Sequence, residues 1–256
     1  MDTVTSADGT AIAYQKAGGG PPIVFIGGAF NDHTRTAPLA AALAGDFIVV
    51  GYDRRARGAS GDTRPYAVDR EVEDLAAVLA VAGGAAAVFG YSSGAILALY
   101  AATTLPITHL FLYEAPFAVD GPPRRADLPA RLDALVHDGR PGDAVALFQT
   151  EGIGLPPETV AQIRRSPMWP ALEAIAQSTA YDATLTTELA VPTPAMSAVS
   201  VPTLVLTGVG TWPGLTRAAK ALAIGRHVEV PGGENHDIPV PETAALIREF
   251  LTVNNP

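Results

Sequence analysis

The chain is organised by short, nearly uninterrupted apolar runs that alternate with longer stretches of helical spacing. Ala11 to Gln15 reads as an early strand after the Asp8-Gly9 turn. Ile23-Val24-Phe25-Ile26 reads as a buried strand closed by Gly27-Gly28, and Phe47-Ile48-Val49-Val50 as a second. Ala85 to Phe89 ends at Gly90, and Leu110-Phe111-Leu112-Tyr113 follows as a fourth buried run. Thr203-Leu204-Val205-Leu206 and His227-Val228-Glu229-Val230 predict two more. Between them Thr36 to Ala44, Asp69 to Val81, Ser93 to Ala102 and Glu242 to Leu251 suit helices. In the second of these Val72, Leu75, Val78 and Leu79 recur at intervals of three and four. Continuous rather than alternating apolar strands, separated by helices, predict an α/β fold: a mostly parallel central sheet with helices on both faces.

One stretch departs from the alternation. From 119 to 199 there are helical patterns and no convincing strand: Arg131 to Val136, Asp143 to Phe148, Thr159 to Ile163 and Ala171 to Ser178. Pro122-Pro123, Pro156-Pro157, Pro167, Pro170 and Pro192 separate them. The expected organisation is a core of residues 1–118 and 200–256 carrying an inserted all-helical cap, 119–199, over the carboxyl ends of the strands, where ligands of such sheets bind.

Composition narrows the function. With 48% apolar and 17% charged residues the chain has the makings of a packed core rather than of a disordered one. A net charge of −9 argues against nucleic acid and against an anionic membrane surface as partners. The absence of cysteine excludes disulfides, thiolate metal sites and a cysteine nucleophile. The N-terminus lacks a basic segment followed by an apolar run, and no apolar stretch approaches the ~18–20 residues of a membrane span. The expectation is a soluble, cytoplasmic protein whose partner is a small molecule, with a homo-oligomer left open.

The sharpest local signal is Gly90-Tyr91-Ser92-Ser93-Gly94, a G-x-S-x-G between a strand and a helix. Such a tight turn projects Ser92 above the sheet, and the helix starting at Ser93 aims free N–H groups at developing negative charge. A serine nucleophile needs a base. Of the five histidines, His236 falls on a loop after the last strand, at the carboxyl edge shared with Ser92. His109 and His227 begin strands at the opposite edge, His137 lies in the insertion, and His33 follows the first buried strand. The base in turn needs an orienting carboxylate. The loop after Thr203–Leu206, Thr207-Gly208-Val209-Gly210-Thr211-Trp212-Pro213, has none. Glu114, ending the strand before it, is the candidate, with Asp120 and Asp237 in reserve. The amides of Ser93 and Ala29, the latter after Gly27-Gly28, are candidates for an oxyanion hole.

These features together resemble the α/β-hydrolase superfamily. The chain is similar over nearly its whole length to capped bacterial hydrolases with a segment of the type Tyr52-Asp53-Arg54-Arg55-x-Arg57-Gly58-x-Ser60-Gly61. The resemblance implies a triad of Ser92, His236 and Glu114, with Ala29 and Ser93 as the oxyanion hole. An acid after the earlier strand resembles a variant seen in some haloalkane dehalogenases. The family's usual His-Gly at the oxyanion turn is here Gly27-Gly28. Ser92, in place of an aspartate, argues against an alkyl-enzyme ester.

The expected function is therefore a serine hydrolase of an ester, lactone or thioester, needing no cofactor. An acyltransferase or lactone-forming cyclase using the same residues is the alternative, and a non-catalytic ligand-binding protein a further one. Arg54 to Arg57 is expected to be a structural turn held by ion pairs, because no P-loop accompanies it. No metal-ligand spacing stands out, and Gly27-Gly28 lacks a dinucleotide fingerprint. Phe30, Phe117, Phe148, Trp169, Tyr181 and Trp212 are candidates to line an apolar pocket for a medium-sized, largely uncharged substrate.

Overall fold

The computed structural model describes residues 1–119 and 124–254. Eight strands form one sheet: β1 (Asp2–Thr5), β2 (Ala11–Ala17), β3 (Pro22–Ile26), β4 (Ile48–Tyr52), β5 (Ala86–Tyr91), β6 (Ile107–Tyr113), β7 (Thr203–Gly210) and β8 (Arg226–Glu234). Their order is β1-β2-β4-β3-β5-β6-β7-β8. β1 and β2 run antiparallel, as do β2 and β4; every later pairing is parallel. The mostly parallel sheet expected from the apolar runs is thus present, extended by an amino-terminal strand that the pattern did not announce. Asp2–Thr5 is a largely exposed edge strand and needs no apolar alternation.

The helices are α1 (Ala37–Leu43), α2 (Val68–Ala82), α3 (Ser93–Ala101), α4 (Leu128–His137), α5 (Pro141–Leu147), α6 (Pro157–Arg164), α7 (Trp169–Ala174), α8 (Gln177–Glu188), α9 (Pro194–Ser197), α10 (Pro213–Ala221) and α11 (Val240–Val253). The central strands are apolar throughout because both faces are covered. In β3, Ile23 and Phe25 join Leu39, Leu43, Ile247 and Leu251 of α1 and α11 on one face. Val24 and Ile26 join Leu75, Val78 and Leu79 of α2 and Ile96 of α3 on the other. α3 is apolar all round and almost wholly buried, which fixes the helix that follows the G-x-S-x-G turn.

Between β6 and β7 the described residues form helices and no strand, and several prolines sit in the first turns of α4 to α7 and α9, where a missing N–H costs no hydrogen bond. A wide π-helical turn, Phe148–Ile153, continues α5. The single helix expected over Ala171 to Ser178 is instead two: the chain breaks at Ile175–Ala176 and α8 runs on to Glu188. Leu185 and Leu189 at its end, with Met196, pack into the cluster of α2 and α3. The rest of the segment forms its own apolar centre around Leu132, Val145, Phe148 and Leu172. Among the described residues no helix is long and apolar enough to cross a membrane.

Candidate active site

Parallel registry aligns the carboxyl ends of the strands. Tyr91 of β5 lies beside Tyr113 of β6, which lies beside Leu206 of β7. The next residues continue this ladder: Ser92 N–H donates to Tyr113 O at 2.9 Å and Glu114 N–H to Leu206 O at 2.9 Å. Ser92 and Glu114 therefore leave the same sheet edge from neighbouring strands.

Each does so with a left-handed backbone. Ser92 has φ 55° and ψ −123°, Glu114 has φ 52°, and His236, beyond β8, has φ 69°. Non-glycine residues rarely adopt this region, and they gather at functional sites where the surroundings impose it. The turn at Ser92 is imposed by close packing. A Cβ on Gly90 would lie 2.5 Å from Gly94 O, and one on Gly94 would lie 2.6 Å from Gly27 O. The two glycines of the motif are thus steric requirements of the turn.

Glu114 is fully buried, and its two oxygens divide their work. Oε1 accepts the Gly208 N–H at 2.8 Å. Oε2 hydrogen-bonds Nδ1 of His236. The imidazole lies between Tyr91, 4.7 Å from ring to ring, and Trp212, 5.2 Å away. Its backbone is clamped as well: His236 O accepts from Tyr91 OH at 2.5 Å and from Arg35 Nη2 at 3.0 Å. Tyr113 OH donates to Asp237 O at 2.6 Å. With Nδ1 occupied, Nε2 is the ring nitrogen left without a partner among the described residues. Burial pushes the Tyr91 hydroxyl up to about 12, so it remains a donor at neutral pH.

Ser92 and His236 border one cavity of about 1070 Å³, together with Ala29 and Ser93. Phe117, Phe148 and Trp212 line it, as expected. Three expected lining residues do not. Phe30 packs edge-on against Phe148, centroids 5.4 Å apart, behind the wall. Trp169 is buried within the helical segment and donates from Nε1 to Glu173. Tyr181 stacks on Tyr66 at 4.0 Å and donates to Asp62. Trp169 packs within the helical segment, and the contacts of Phe30 and Tyr181 join that segment to the core; none of the three forms the pocket. The lining is not uncharged either: Arg35, Arg124, Arg125 and Arg217 face it. The distances in sequence between these arginines and the motif gave no sign of their meeting.

The remaining histidines lie elsewhere. His109 contacts Asn254 O, His227 contacts Thr207, and His33 is held by Asp53. Asp237 accepts from Arg35 at 2.8 Å, and Asp120 lies outside the described residues. Asp32, His33 and Asp53 bring potential ligand atoms within 4.8 Å of one another, a grouping that spacing did not suggest. Asp53 is already committed to His33 and to the Ala59 N–H, and Asp32 to Thr34.

Arg54 to Arg57 is the ion-paired turn expected of it, and it reaches the site. Arg54 binds Glu71 through Nε at 2.6 Å and Nη2 at 2.7 Å. Its Nη1 donates to Asp182 at 2.9 Å and to Ser93 Oγ at 3.2 Å. Asp182, on α8, also accepts from Arg57 at 2.6 Å and from Ser93 Oγ at 2.9 Å. All five side chains are essentially solvent-free. Burial alone would raise both carboxyls. The guanidinium of Arg54 beside Glu71, and those of Arg57 and Arg54 beside Asp182, outweigh it and hold both below the usual carboxylate range. Sequence reasoning missed Asp182, the residue that joins the helical segment to the start of α3.

Truncating Asp182 to alanine leaves two buried guanidiniums short of a partner, an expected loss of about 3–5 kcal/mol of stability, read from denaturant midpoints. The paired carboxylates also set a pH dependence. Their folded pKa values lie below the unfolded ones, so their contribution is complete above the ordinary carboxylate range and is lost as pH falls through the depressed values. The melting temperature of the wild type should therefore fall more steeply below about pH 4 than that of Asp182→Asn. Parallel acid limbs would contradict this.

The model described as Alpha/beta hydrolase family matches residues 23–249. The chain is similar to the crystal structure of an alpha/beta hydrolase from Sphaerobacter thermophilus, with 47% identity, a TM-score of 0.90 and coverage of 98% of this chain and 100% of that one. An enol-lactonase from Burkholderia xenovorans LB400 shares the fold, with 21% identity, a TM-score of 0.72 and coverage of 98% and 100%. The uncharacterized hydrolase YraK of Bacillus subtilis is 36% identical over 95 residues; that match spans 36% of this chain and 35% of that protein's length. With the family match running from the first central strand into the last helix, the chain belongs to the alpha/beta hydrolase family.

Proposed function

We propose that the protein is a serine hydrolase of a carboxylic ester, lactone or thioester of small to medium size, acting through an acyl-enzyme on Ser92. One observation carries the reading: Ser92, on a left-handed strand–helix turn, shares a cavity with a histidine whose Nδ1 is bonded to a buried carboxylate. The fold shared with an enol-lactonase is in keeping with it.

The Ser92 hydroxyl attacks the carbonyl carbon while His236 Nε2 takes its proton. Negative charge moves to the carbonyl oxygen, which the amides of Ala29 and Ser93 receive. Ser93 is the first residue of α3, so its N–H has no acceptor within the helix. Glu114 holds the Nδ1–H tautomer and stabilises the imidazolium. The intermediate collapses, the C–O or C–S bond breaks, and His236 protonates the departing oxygen or sulfur. Water, deprotonated by the same nitrogen, then releases the acid and restores Ser92. The helices between β6 and β7 act as a cap that keeps bulk water out of the cavity.

Intact-mass analysis after treatment with a fluorophosphonate tests the assignment. One adduct is expected on the wild type and none on Ser92→Ala. Equal labelling of both proteins, or none on either together with no cleavage of any activated ester, would overturn it.

A further inference from the structure

In a chain of net charge −9, the cavity beside Ser92 is cationic. Among the described residues its lining carries four arginines and one carboxylate, Glu151. That carboxylate is spoken for by Arg131, at 2.6 and 2.8 Å, and by Arg125 at 3.7 Å. Arg35 pairs with Asp237 and Arg125 with Asp127. Two arginines remain. Arg217, exposed on α10, makes no ion pair among the described residues. Arg124 is the more telling. Its Nη1 donates to Gly152 O at 3.1 Å and its Nη2 to Pro116 O at 2.6 Å, both groups of the cavity wall. Among the described residues its Nε is buried without a partner and no carboxylate lies within 4.0 Å of it. Neutral carbonyls fix this guanidinium in place without neutralising it. Burial lowers its pKa, a penalty that an incoming anion would relieve. A guanidinium has five donors in a planar fork suited to a carboxylate, and two are used here.

We infer that the substrate carries, besides its reacting carbonyl, a second and non-reacting carboxylate that Arg124 and Arg217 receive. The inference rests on the hydrolase reading of Ser92 and replaces the uncharged substrate expected from the sequence. Arg124 spans Pro116, two residues beyond Glu114, and Gly152 in the turn after α5, so it fixes the anion subsite to both walls at once.

The test compares a mono-4-nitrophenyl ester of adipic acid with neutral 4-nitrophenyl hexanoate. The wild type should prefer the anionic ester in kcat/KM by at least about tenfold, the scale of one charge-assisted hydrogen bond. Arg124→Gln should lower the ratio of the two kcat/KM values by at least about tenfold, mainly through KM of the adipate ester, and added salt should lower it in the wild type. Because a ratio is read within one protein, a general loosening of the cavity does not mimic the effect. Arg217→Gln, at an exposed position, should lower the ratio in the same direction and stands in if Arg124→Gln fails to fold. A wild-type preference for the neutral ester, or a ratio indifferent to both substitutions, would overturn the inference while leaving the nucleophile intact. Should neither ester be cleaved and Ser92 take no label, the hydrolase reading fails, and binding still decides the subsite. Adipate should then raise the melting temperature of the wild type more than hexanoate does, and lose that advantage in the variants; no such difference overturns it.

Discussion

Ser92→Ala is expected to lower turnover of an activated ester by about 10⁶-fold, with little change in the melting temperature. The size follows from the way the site divides its labour. Without the hydroxyl, His236 has no proton to take and no acyl-enzyme forms, so only the amides of Ala29 and Ser93 remain to stabilise direct attack by water. His236→Ala should cost a similar factor, and the double variant should cost no more than either single one, because the two residues serve one step. Steady-state kcat of the three variants measures this. A double variant whose loss equals the product of the two single losses would show that Ser92 and His236 act independently and would remove the acyl-enzyme mechanism.

Glu114→Gln should lower kcat by about 10⁴-fold, the scale of a wrong imidazole tautomer. The reason lies in the two bonds of the buried carboxylate. Gly208 N–H and His236 Nδ1–H both require an acceptor, and Glu114 supplies one oxygen to each. A glutamine has one acceptor oxygen. If it faces Gly208, its NH₂ group faces Nδ1, and the imidazole must carry its proton on Nε2, the nitrogen that should receive the proton of Ser92. If it is reversed, Gly208 N–H is left buried against a donor. Nitrogen NMR of His236 distinguishes the two arrangements, and turnover equal to the wild type would remove Glu114 from the mechanism.

The sheet and the turn at Ser92 were legible because local rules and global burial agree there. β3, β5 and β7 are covered on both faces, so apolarity alone marks them. Gly90 and Gly94 are dictated by contacts within a few residues of Ser92 or with the adjoining strand. Glu114 and His236 could be placed together because a parallel sheet sends every strand–helix loop to one edge. The helical segment obeys a different logic. α8 buries Ser178, Thr179, Asp182 and Thr186 among its apolar Ala180, Tyr181, Ala183 and Leu185, so its buried positions show no clean apolar stripe. The hydroxyls of Ser178, Thr179 and Thr186 are satisfied by carbonyls of the preceding turn, and Asp182 by two arginines more than a hundred residues away in sequence. Neither kind of pairing leaves a periodic trace. The same blindness misassigned Trp169 and Tyr181. An aromatic residue in a helical insertion can face a cavity, its own helices as Trp169 does, or the core beneath as Tyr181 does, and only the tertiary packing decides which.

The anchoring of α8 through Asp182 bears on how such a helical segment could be exchanged between proteins. Its buried carboxylate is one of a set of four charges whose other members, Arg54, Arg57 and Glu71, belong to the turn after β4 and to α2. Grafted onto a sheet lacking those arginines, the segment would bring a naked anion to the start of α3. Replaced here by a segment without an acid at that place, it would strand Arg57 and leave Arg54 with Glu71 alone. The portable unit is therefore a pair of non-contiguous pieces, α8 together with 54–71, and transplantation that follows chain continuity alone would cut through it.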